Sequence, residues 1–154
     1  MAASTQNWAT NFYFSVVFQS KWDMFRCSFT EVSGLDTQVE FKGFAVEFGN
    51  WFFLPRGIKH GNITLKRPMT SNKKDPFSVW LNKCLKKDKI GKIIPYDMII
   101  KLLDEEGEPM ASWMCTHAFP ISWTLSSLNS EKSDLATETV VVAYNRLERI
   151  TQSK

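Results

Sequence analysis

A strand pattern broken by one glycine, with a dense aromatic run after it, most constrains how this chain can fold. Phe25 to Val32 alternates in the manner of a strand, Ser33-Gly34 interrupts the pattern, and Leu35 to Phe41 resumes it. Alternation with a period of two is typical of a half-buried β-strand, and glycine permits a sharp backbone corner. The sequence therefore predicts two strands joined at Gly34.

Aromatic residues are concentrated after this corner, where six of them fall within thirteen positions. They are Phe41, Phe44, Phe48, Trp51, Phe52 and Phe53. Core filling explains part of the run, but the three consecutive rings at 51–53 place neighbours on opposite faces of a strand. Because soluble monomers rarely expose large apolar patches, the run favours contact with another subunit over core packing alone.

Two features divide this segment. At Gly43 the apolar positions change phase, because Phe44 and Val46 continue a pattern that odd-numbered positions carried before. A bulge or bend at glycine produces such a slip, and we expect it where the strand leaves its own sheet to reach a neighbouring subunit. Leu54-Pro55-Arg56-Gly57 is predicted to form a turn.

The rest of the chain predicts one helix among seven or eight strands. Asp75 is a good N-cap, Pro76 suits the first helical position, and the apolar residues from Phe77 to Leu85 have helical spacing. Asp104 to Gly107 predicts a hairpin turn. Strands are predicted at 11–18, 24–32, 35–42, 61–66, 96–103, 109–117 (extended over 121–125) and 135–150.

This order of elements predicts a mainly β protein, an antiparallel β-barrel or sandwich of two sheets with one flanking α-helix. The 154 residues suit a single domain over 1–154, with 1–10 and 151–154 as flexible or assembly-ordered termini. The formal net charge of +3 requires neither a nucleic-acid nor a membrane partner.

Cysteine usage and the opening residues indicate where the chain is made. Cys27, Cys84 and Cys115 are too widely spaced for a disulfide scaffold and favour a reducing compartment. The opening residues lack an apolar signal segment, and no run approaches the ~18 apolar residues of a membrane span. We expect cytoplasmic synthesis and assembly without a signal peptide or membrane span.

No motif indicates an active site, so we expect no enzyme activity, catalytic residue, metal or cofactor. Cys115 and His117 are two apart and would share a strand face, but a structural zinc needs four ligands, so core packing is favoured. The acidic run from Asp104 to Glu108 is interpreted as a solvated turn, since its spacing matches no cation loop.

Seven lysines lie between residues 73 and 92. Such a run is typical of a solvated helix face and an exposed loop. A contact with an acidic protein surface is the functional alternative. Nucleic-acid binding is a further alternative, although these lysines are not interleaved with aromatic stacking residues.

Several short motifs, in order over about 12–150, resemble the tube proteins of contractile injection systems: contractile phage tail tubes, extracellular contractile injection system tubes and, more distantly, the type VI secretion tube protein. The motifs are Phe29-Thr30-Glu31-Val32-Ser33-Gly34-Leu35, Leu54-Pro55-Arg56-Gly57, Ile63-Thr64-Leu65-Lys66-Arg67, the helix with Trp80, Leu102-Leu103-Asp104 with Gly107 and Pro109, the set Trp113, Ala118, Pro120 and Trp123, and Glu138. Each motif is weak alone, whereas their order and spacing are specific. Two segments depart from the family pattern: Arg56 precedes Gly57, and 86–95 is longer and more basic than is typical.

The resemblance implies a structural subunit of an inner tube, in which homohexameric rings stack around a hollow lumen. A contracting sheath would propel the tube through a target envelope to deliver protein cargo. The implied partners are other copies, the sheath protein, and the baseplate or initiator and terminator proteins, within a phage tail-like particle that is released extracellularly in some systems. The alternatives are a tube-initiator or adaptor ring at the baseplate and, in another class, a single-stranded nucleic-acid-binding β-barrel.

Two sets of residues are predicted to make these contacts. The subunit interface is expected at Val32, Ser33, Gly34, Leu35, Phe44, Phe48, Trp51, Phe52 and Phe53. Sheath contact is expected at Lys83, Lys86, Lys87 and Lys89.

Overall fold

The computed structural model describes residues 13–47, 49–85, 93–126 and 136–151. Within them, ten β-strands and one α-helix follow one another along the chain. The elements are β1 (Tyr13–Gln19), β2 (Met24–Phe29), β3 (Glu31–Ser33), β4 (Gln38–Glu47), β5 (Asn50–Lys59), β6 (Ile63–Pro68), α1 (Pro76–Cys84), β7 (Tyr96–Leu103), β8 (Pro109–Leu125), β9 (Thr137–Ala143) and β10 (Arg146–Ile150).

Eight of the strands form an antiparallel sheet, and β4 and β5 form a second sheet of two strands. The order in the larger sheet is β2-β1-β7-β8-β9-β6-β3, with β10 also paired to β8. Since the order begins at β2 and ends at β3, the described strands do not close into a barrel. The prediction of a mainly β, antiparallel protein with one helix is confirmed, in its sandwich form.

The long strand β8 joins the two halves of the sandwich. Its first part pairs with β7 and β10, and the part from Phe119 onward pairs with β9. The change of partner coincides with His117, which has a positive φ of 52° and donates its backbone N–H to the Asp97 carboxylate at 3.1 Å. Strands that bend or bulge in this way commonly make the corners of sandwiches.

The core lies between the two halves and is closed by the helix. Val16, Phe18 and Ile100 come from one half, Leu65 and Val142 from the other, and all are fully buried. The helix adds Phe77, Trp80 and Leu81 to this core, and Trp80 also donates its indole N–H to the Ile94 carbonyl at 2.7 Å.

Several elements match the sequence predictions closely. Helix α1 begins at Pro76 after the N-cap Asp75, whose side chain accepts the Ser78 backbone N–H. Strand β7 has the predicted bounds, and the turn at Asp104 to Gly107 follows it. The phase slip at Gly43 is an irregularity in the β4–β5 register, between Phe41 and Gly43.

Other strand predictions were wrong. Leu54-Pro55-Arg56-Gly57 is not a turn, since it lies inside β5, and the actual turn is at Gly49, where φ is 78°. Proline is tolerated there because Pro55 lies at the register irregularity, where a missing N–H leaves no regular ladder bond unmade. The predicted extension of the strand at 109–117 over 121–125 is confirmed, because an irregularity at Pro120 lets β8 continue as a single strand to Leu125.

Two predicted strands are divided in the structure. The segment 24–32 splits at Thr30, whose backbone N–H and hydroxyl both bond to the Lys66 carbonyl, so that the chain moves from β1 to β6 as its partner. The segment 135–150 splits at Tyr144-Asn145, where the Asn145 N–H bonds to the Thr116 carbonyl. The strand at 35–42 begins only at Gln38. The predicted flexible termini fall almost entirely outside the described residues, as do the first two residues of the strand at 11–18.

Candidate assembly surfaces

Strands β4 and β5 form a two-stranded hairpin, here called the arm (38–47 and 49–59). They pair with each other and with no other described strand. The predicted aromatic residues lie on this ladder, with Phe44 opposite Phe53 and Phe52 opposite Ala45. Trp51 pairs with Val46 near the turn, and Phe48 lies outside the described residues.

The described side chains of the arm expose a large apolar surface. Ile58 is 73% exposed, Val39 53% and Phe41 54%. Val39 and Ile58 are direct cross-strand partners, so they form one patch. An isolated two-stranded hairpin has only marginal stability in water, and exposed apolar patches commonly mark interaction sites. The arm therefore has the properties of a segment that another protein surface completes.

The predicted corner at Val32 to Leu35 is where β3 ends. Gly34 has a φ of 90°, and a Cβ there would lie 2.2 Å from the backbone oxygen of Asn62, so only glycine fits. Val32 and Leu35 are half-buried and pack against the protein's own core, while Ser33 pairs with Thr64 on β6. The corner is confirmed as a structural feature, and its role in subunit contact stays a prediction.

A buried charge cluster ties the helix to both halves of the sandwich. The Arg67 guanidinium donates to Glu138 Oε1 at 2.7 Å, to Asp75 Oδ2 at 2.5 Å and to Ser78 Oγ at 3.1 Å. It also donates to Cys27 Sγ at 2.9 Å. Arg67 is 6% exposed and Glu138 4%. A single side chain thus connects β2, β6, β9 and the N-terminus of α1.

The pKa shifts within this cluster follow from burial and pairing. Burial opposes the charged guanidinium, but hydrogen bonds to Asp75 and Glu138 outweigh it and raise the pKa of Arg67. Burial likewise opposes the Asp75 carboxylate, yet hydrogen bonds from Arg67 and Ser78 hold its pKa below the usual 3.8. Burial raises the pKa of the Cys27 thiol to about 11. Both members of the Arg67–Asp75 pair are therefore charged near neutral pH.

The sequence contains a pattern that would have predicted this cluster. Arg67 follows Ile63 and Leu65 in the inward phase of β6, and Glu138 precedes Val140 and Val142 in the inward phase of β9. Charges at buried positions of two paired strands need partners, and opposite signs on adjacent strands supply them. The sequence predictions assigned no site role to Arg67 or Glu138.

Cys115 and His117 were expected to share a strand face, and the structure shows that they do not. Cys115 is completely buried, whereas His117 is exposed, because the bulge at His117 breaks the strand alternation. The three cysteines are free thiols. Across the described part of the chain, no three histidine, cysteine or acidic side chains group as metal ligands, and no helix is both long and apolar enough to cross a membrane.

Of the four predicted sheath-contact lysines, Lys83 is the one that lies in the described part of the chain. Lys83 is exposed in the last helical turn, where a positive charge also suits the helix dipole. Lys86, Lys87 and Lys89 lie outside the described residues. Lys83 also lines a groove of about 240 Å³ between the helix and the β1–β2 turn, together with Lys74.

Residues 10–148 match the family model described as T4-like virus tail tube protein gp19. The chain belongs to this tail tube family. A comparison with curated protein sequences gave no significant match.

Several solved structures share the fold of this tail tube family member. A chain from the sheath-tube complex of an extracellular contractile injection system, PVC, in its extended state has 25% identity and a TM-score of 0.71, over 90% of this chain and 88% of that one. A chain of the sixfold symmetrised baseplate of the anti-feeding prophage has 20% identity and a TM-score of 0.74, over 97% of both chains. Hcp1 from Flavobacterium johnsoniae has 14% identity and a TM-score of 0.56, over 88% of this chain and 93% of that one.

Proposed function

We propose that this tail tube protein is a non-enzymatic structural subunit of the inner tube of a contractile injection apparatus. The observation that carries the proposal is the family match over residues 10–148. Likeness to a chain of a sheath-tube complex supports it. Six subunits would close into a ring, and rings would stack around a lumen that holds protein cargo. Contraction of a surrounding sheath would then drive the tube through a target envelope.

The arm is the element best suited to join subunits. Its ladder is separate from the main sheet, and Val39, Phe41 and Ile58 expose apolar surface on it. Contact with a neighbouring copy would bury this surface and could extend the hairpin's ladder by strand pairing. A ring requires a heterologous contact that closes, whereas ring stacking requires one that stays open-ended. The arm and the aromatic residues on it would serve one or both of these contacts.

The helix end would face the sheath. Lys83 in the last helical turn gives this surface a positive character, and charge complementarity sets partner choice and association rate more than affinity. An acidic segment of the sheath protein is the partner that this surface fits. Charge reversal at Lys83 should spare tube formation and weaken sheath assembly, as seen by electron microscopy of co-expressed proteins. Unchanged full particles would contradict the sheath role.

A second candidate is an initiator, adaptor or terminating ring of the same apparatus. The protein is similar to a chain of the anti-feeding prophage baseplate and to a chain of its tube terminating cap, each with a TM-score of 0.74. These similarities support the second candidate as strongly as the similarity to the sheath-tube chain supports the main proposal. A ring protein of this kind would assemble once per particle. Purified protein that forms single rings and never long tubes would support this candidate.

Electron microscopy with arm variants tests the main proposal. Ile58→Glu places a charge on an exposed arm position, so the fold should stay intact while tubes are lost. Ile58→Leu is the matched control and should still form tubes. Circular dichroism and urea unfolding would verify that both variants fold. Long tubes from Ile58→Glu would refute the role of the arm in assembly.

A further inference from the structure

The turn between β1 and β2 presents a tryptophan to solvent on an ordered support. Trp22 is 87% exposed, more than any other large apolar side chain whose exposure the structure describes. The Ser20 N–H bonds to the Asp23 carbonyl at 2.8 Å, and Ser20 Oγ accepts the N–H groups of Trp22 and Asp23 at 3.3 and 3.1 Å. A ring held on a fixed turn loses little entropy on binding, and tryptophan is a common interface hot spot.

The surface around this turn is positively charged. Lys21 lies on the turn with its Nζ 5.2 Å from the indole centroid, and Lys74 lines the adjoining groove. Asp23 also lines that groove, but its carboxylate already accepts the Tyr96 hydroxyl at 3.3 Å. We call this surface, the turn 20–23 with Lys74, the basic end.

The opposite end of the same strands is acidic. In the β1–β7 ladder Gln19 pairs with Asp97 and Tyr13 with Leu103, so the β7–β8 turn lies roughly 20 Å from the basic end at ~3.3 Å per residue. This turn carries four carboxylates, of Asp104, Glu105, Glu106 and Glu108. Asp104 accepts the N–H groups of Glu106 and Glu108, both at 2.9 Å. Among the described residues, the three glutamates form no ion pair.

A side-chain-sized groove lies beside the acidic turn. Its volume is about 230 Å³, and Pro109, Met110, Ile150 and Arg149 are among its lining residues. A water molecule occupies about 30 Å³ of liquid, so the groove has the volume of roughly eight waters. Met110 is 55% exposed and Ile150 38%, and a guanidinium such as that of Arg149 packs favourably on an indole face. The groove thus offers both apolar contact and a cation to an aromatic ring.

We propose that the basic end of one copy docks on the acidic end of the next copy, with Trp22 seated in the groove and Lys21 beside the glutamates. The two ends lie at opposite ends of β1 and β7 and have opposite charge, so the occupant that fits each is a second copy of this chain. The contact is heterologous and leaves a free end at both sides, as repeated stacking requires. This inference rests on the proposed self-assembly and assigns surfaces to it.

Assembly of purified protein measures the effect of changing each end. Trp22→Ser should raise the protein concentration needed for assembly about 30-fold, the loss expected of an interface hot spot (~2 kcal/mol at 1.4 kcal/mol per tenfold). Trp22→Phe keeps a ring and should have a much smaller effect. Lys21→Glu and Glu105→Lys should each weaken assembly, and the two together should restore it, because the swapped charges meet across copies.

Disulfide trapping tests the contact directly. A Trp22→Cys chain mixed with a Met110→Cys chain should give a crosslink between the two copies on oxidation, identified by peptide mapping. If wild-type protein does not assemble at all, the proposed function fails. If it assembles while Trp22→Ser, Lys21→Glu and Glu105→Lys assemble equally well, or no such crosslink forms, this docking is wrong and the proposed function stands. Normal tubes from Trp22→Ser that fail only to recruit sheath would also overturn it.

Discussion

Replacing Arg67 by methionine removes the cation from the buried cluster that joins three strands to the helix. The side chains of Arg67 and Glu138 are 8% and 5% exposed, so the substitution leaves the Glu138 carboxylate buried without its charged partner. Breaking a buried ion pair on one side costs about 3–5 kcal/mol, against a typical total stability of about 5–15 kcal/mol. Arg67→Met should therefore unfold far more easily than the wild type.

Urea unfolding followed by circular dichroism measures this loss. With a slope of about 2 kcal/mol per molar urea, the midpoint should fall by about 2 M. The measurements belong at protein concentrations where size-exclusion chromatography shows a monomer, since assembly adds apparent stability. Arg146→Met is the matched control, because Arg146 pairs with Glu148 at side-chain exposures of 74% and 51%. That exposed pair should be worth less than about 1 kcal/mol.

A double-mutant cycle separates the pair from other effects of the substitution. Combining Arg67→Met with Glu138→Met removes both charges, so the loss should be smaller than the sum of the two single losses by at least about 1.5 kcal/mol. Asp75 keeps its bonds to the Ser78 hydroxyl and N–H in all variants. A loss below about 1 kcal/mol for Arg67→Met, or additive losses, would refute the view that this cluster holds the fold together.

Three further results are expected. Gly34→Ala should lower stability by more than about 2 kcal/mol in urea unfolding, because φ is 90° and a backbone oxygen lies 2.2 Å from the new Cβ; an unchanged midpoint would contradict this. The pKa of Asp75 is lowered in the folded protein, so its contribution to the free energy of unfolding is present above the usual pKa of 3.8. That contribution is lost as the pH falls through the pKa of the folded state. Wild-type stability should thus fall more steeply than that of Asp75→Asn between about pH 5 and pH 3, and equal slopes would rule this out. Burial raises the pKa of all three thiols, to about 11 for Cys27 and about 12 for Cys115, but Cys84 is only half-buried while the other two are buried. A thiol reagent at pH 8 should therefore label Cys84 first and the other two only on unfolding.

Local signals explain which elements the sequence predicted well. The N-cap Asp75, the proline after it and the apolar spacing all act within one or two turns, and α1 has the predicted start. Strand β7 alternates cleanly and is followed by a turn whose bonds are made by its own residue Asp104. In such segments the local preference and the tertiary structure agree, so a single sequence suffices.

Elements that depend on a distant partner were not predictable in the same way. Thr30 ends β2 because Lys66 offers its carbonyl, and Pro55 remains inside a strand because the opposite strand is irregular there. The buried cluster depends on residues that lie far apart in sequence, such as Arg67 and Glu138. Alternation placed these two residues on inward faces, but only the pairing of β6 with β9 brings them into contact.

The candidate assembly residues show the same difference between features set by local signals and features set by a distant partner. The glycine corner was predicted from the sequence and is confirmed, whereas the sequence placed a turn at 54–57 and so missed the β4–β5 hairpin on which aromatic residues lie. Whether a surface meets another copy depends on the partner's shape and charge, which the chain's own pattern does not contain. Trp22 illustrates this, because an isolated tryptophan in a short turn becomes informative only once its 87% exposure is known.

The most direct test of the central claim is electron microscopy of the purified protein with measurement of its symmetry. We expect sixfold rings that stack into hollow tubes, and the loss of these tubes in Ile58→Glu while the fold is retained. A monodisperse monomer over a wide concentration range that binds single-stranded oligonucleotide at moderate salt would refute the tube subunit and favour a nucleic-acid-binding β protein.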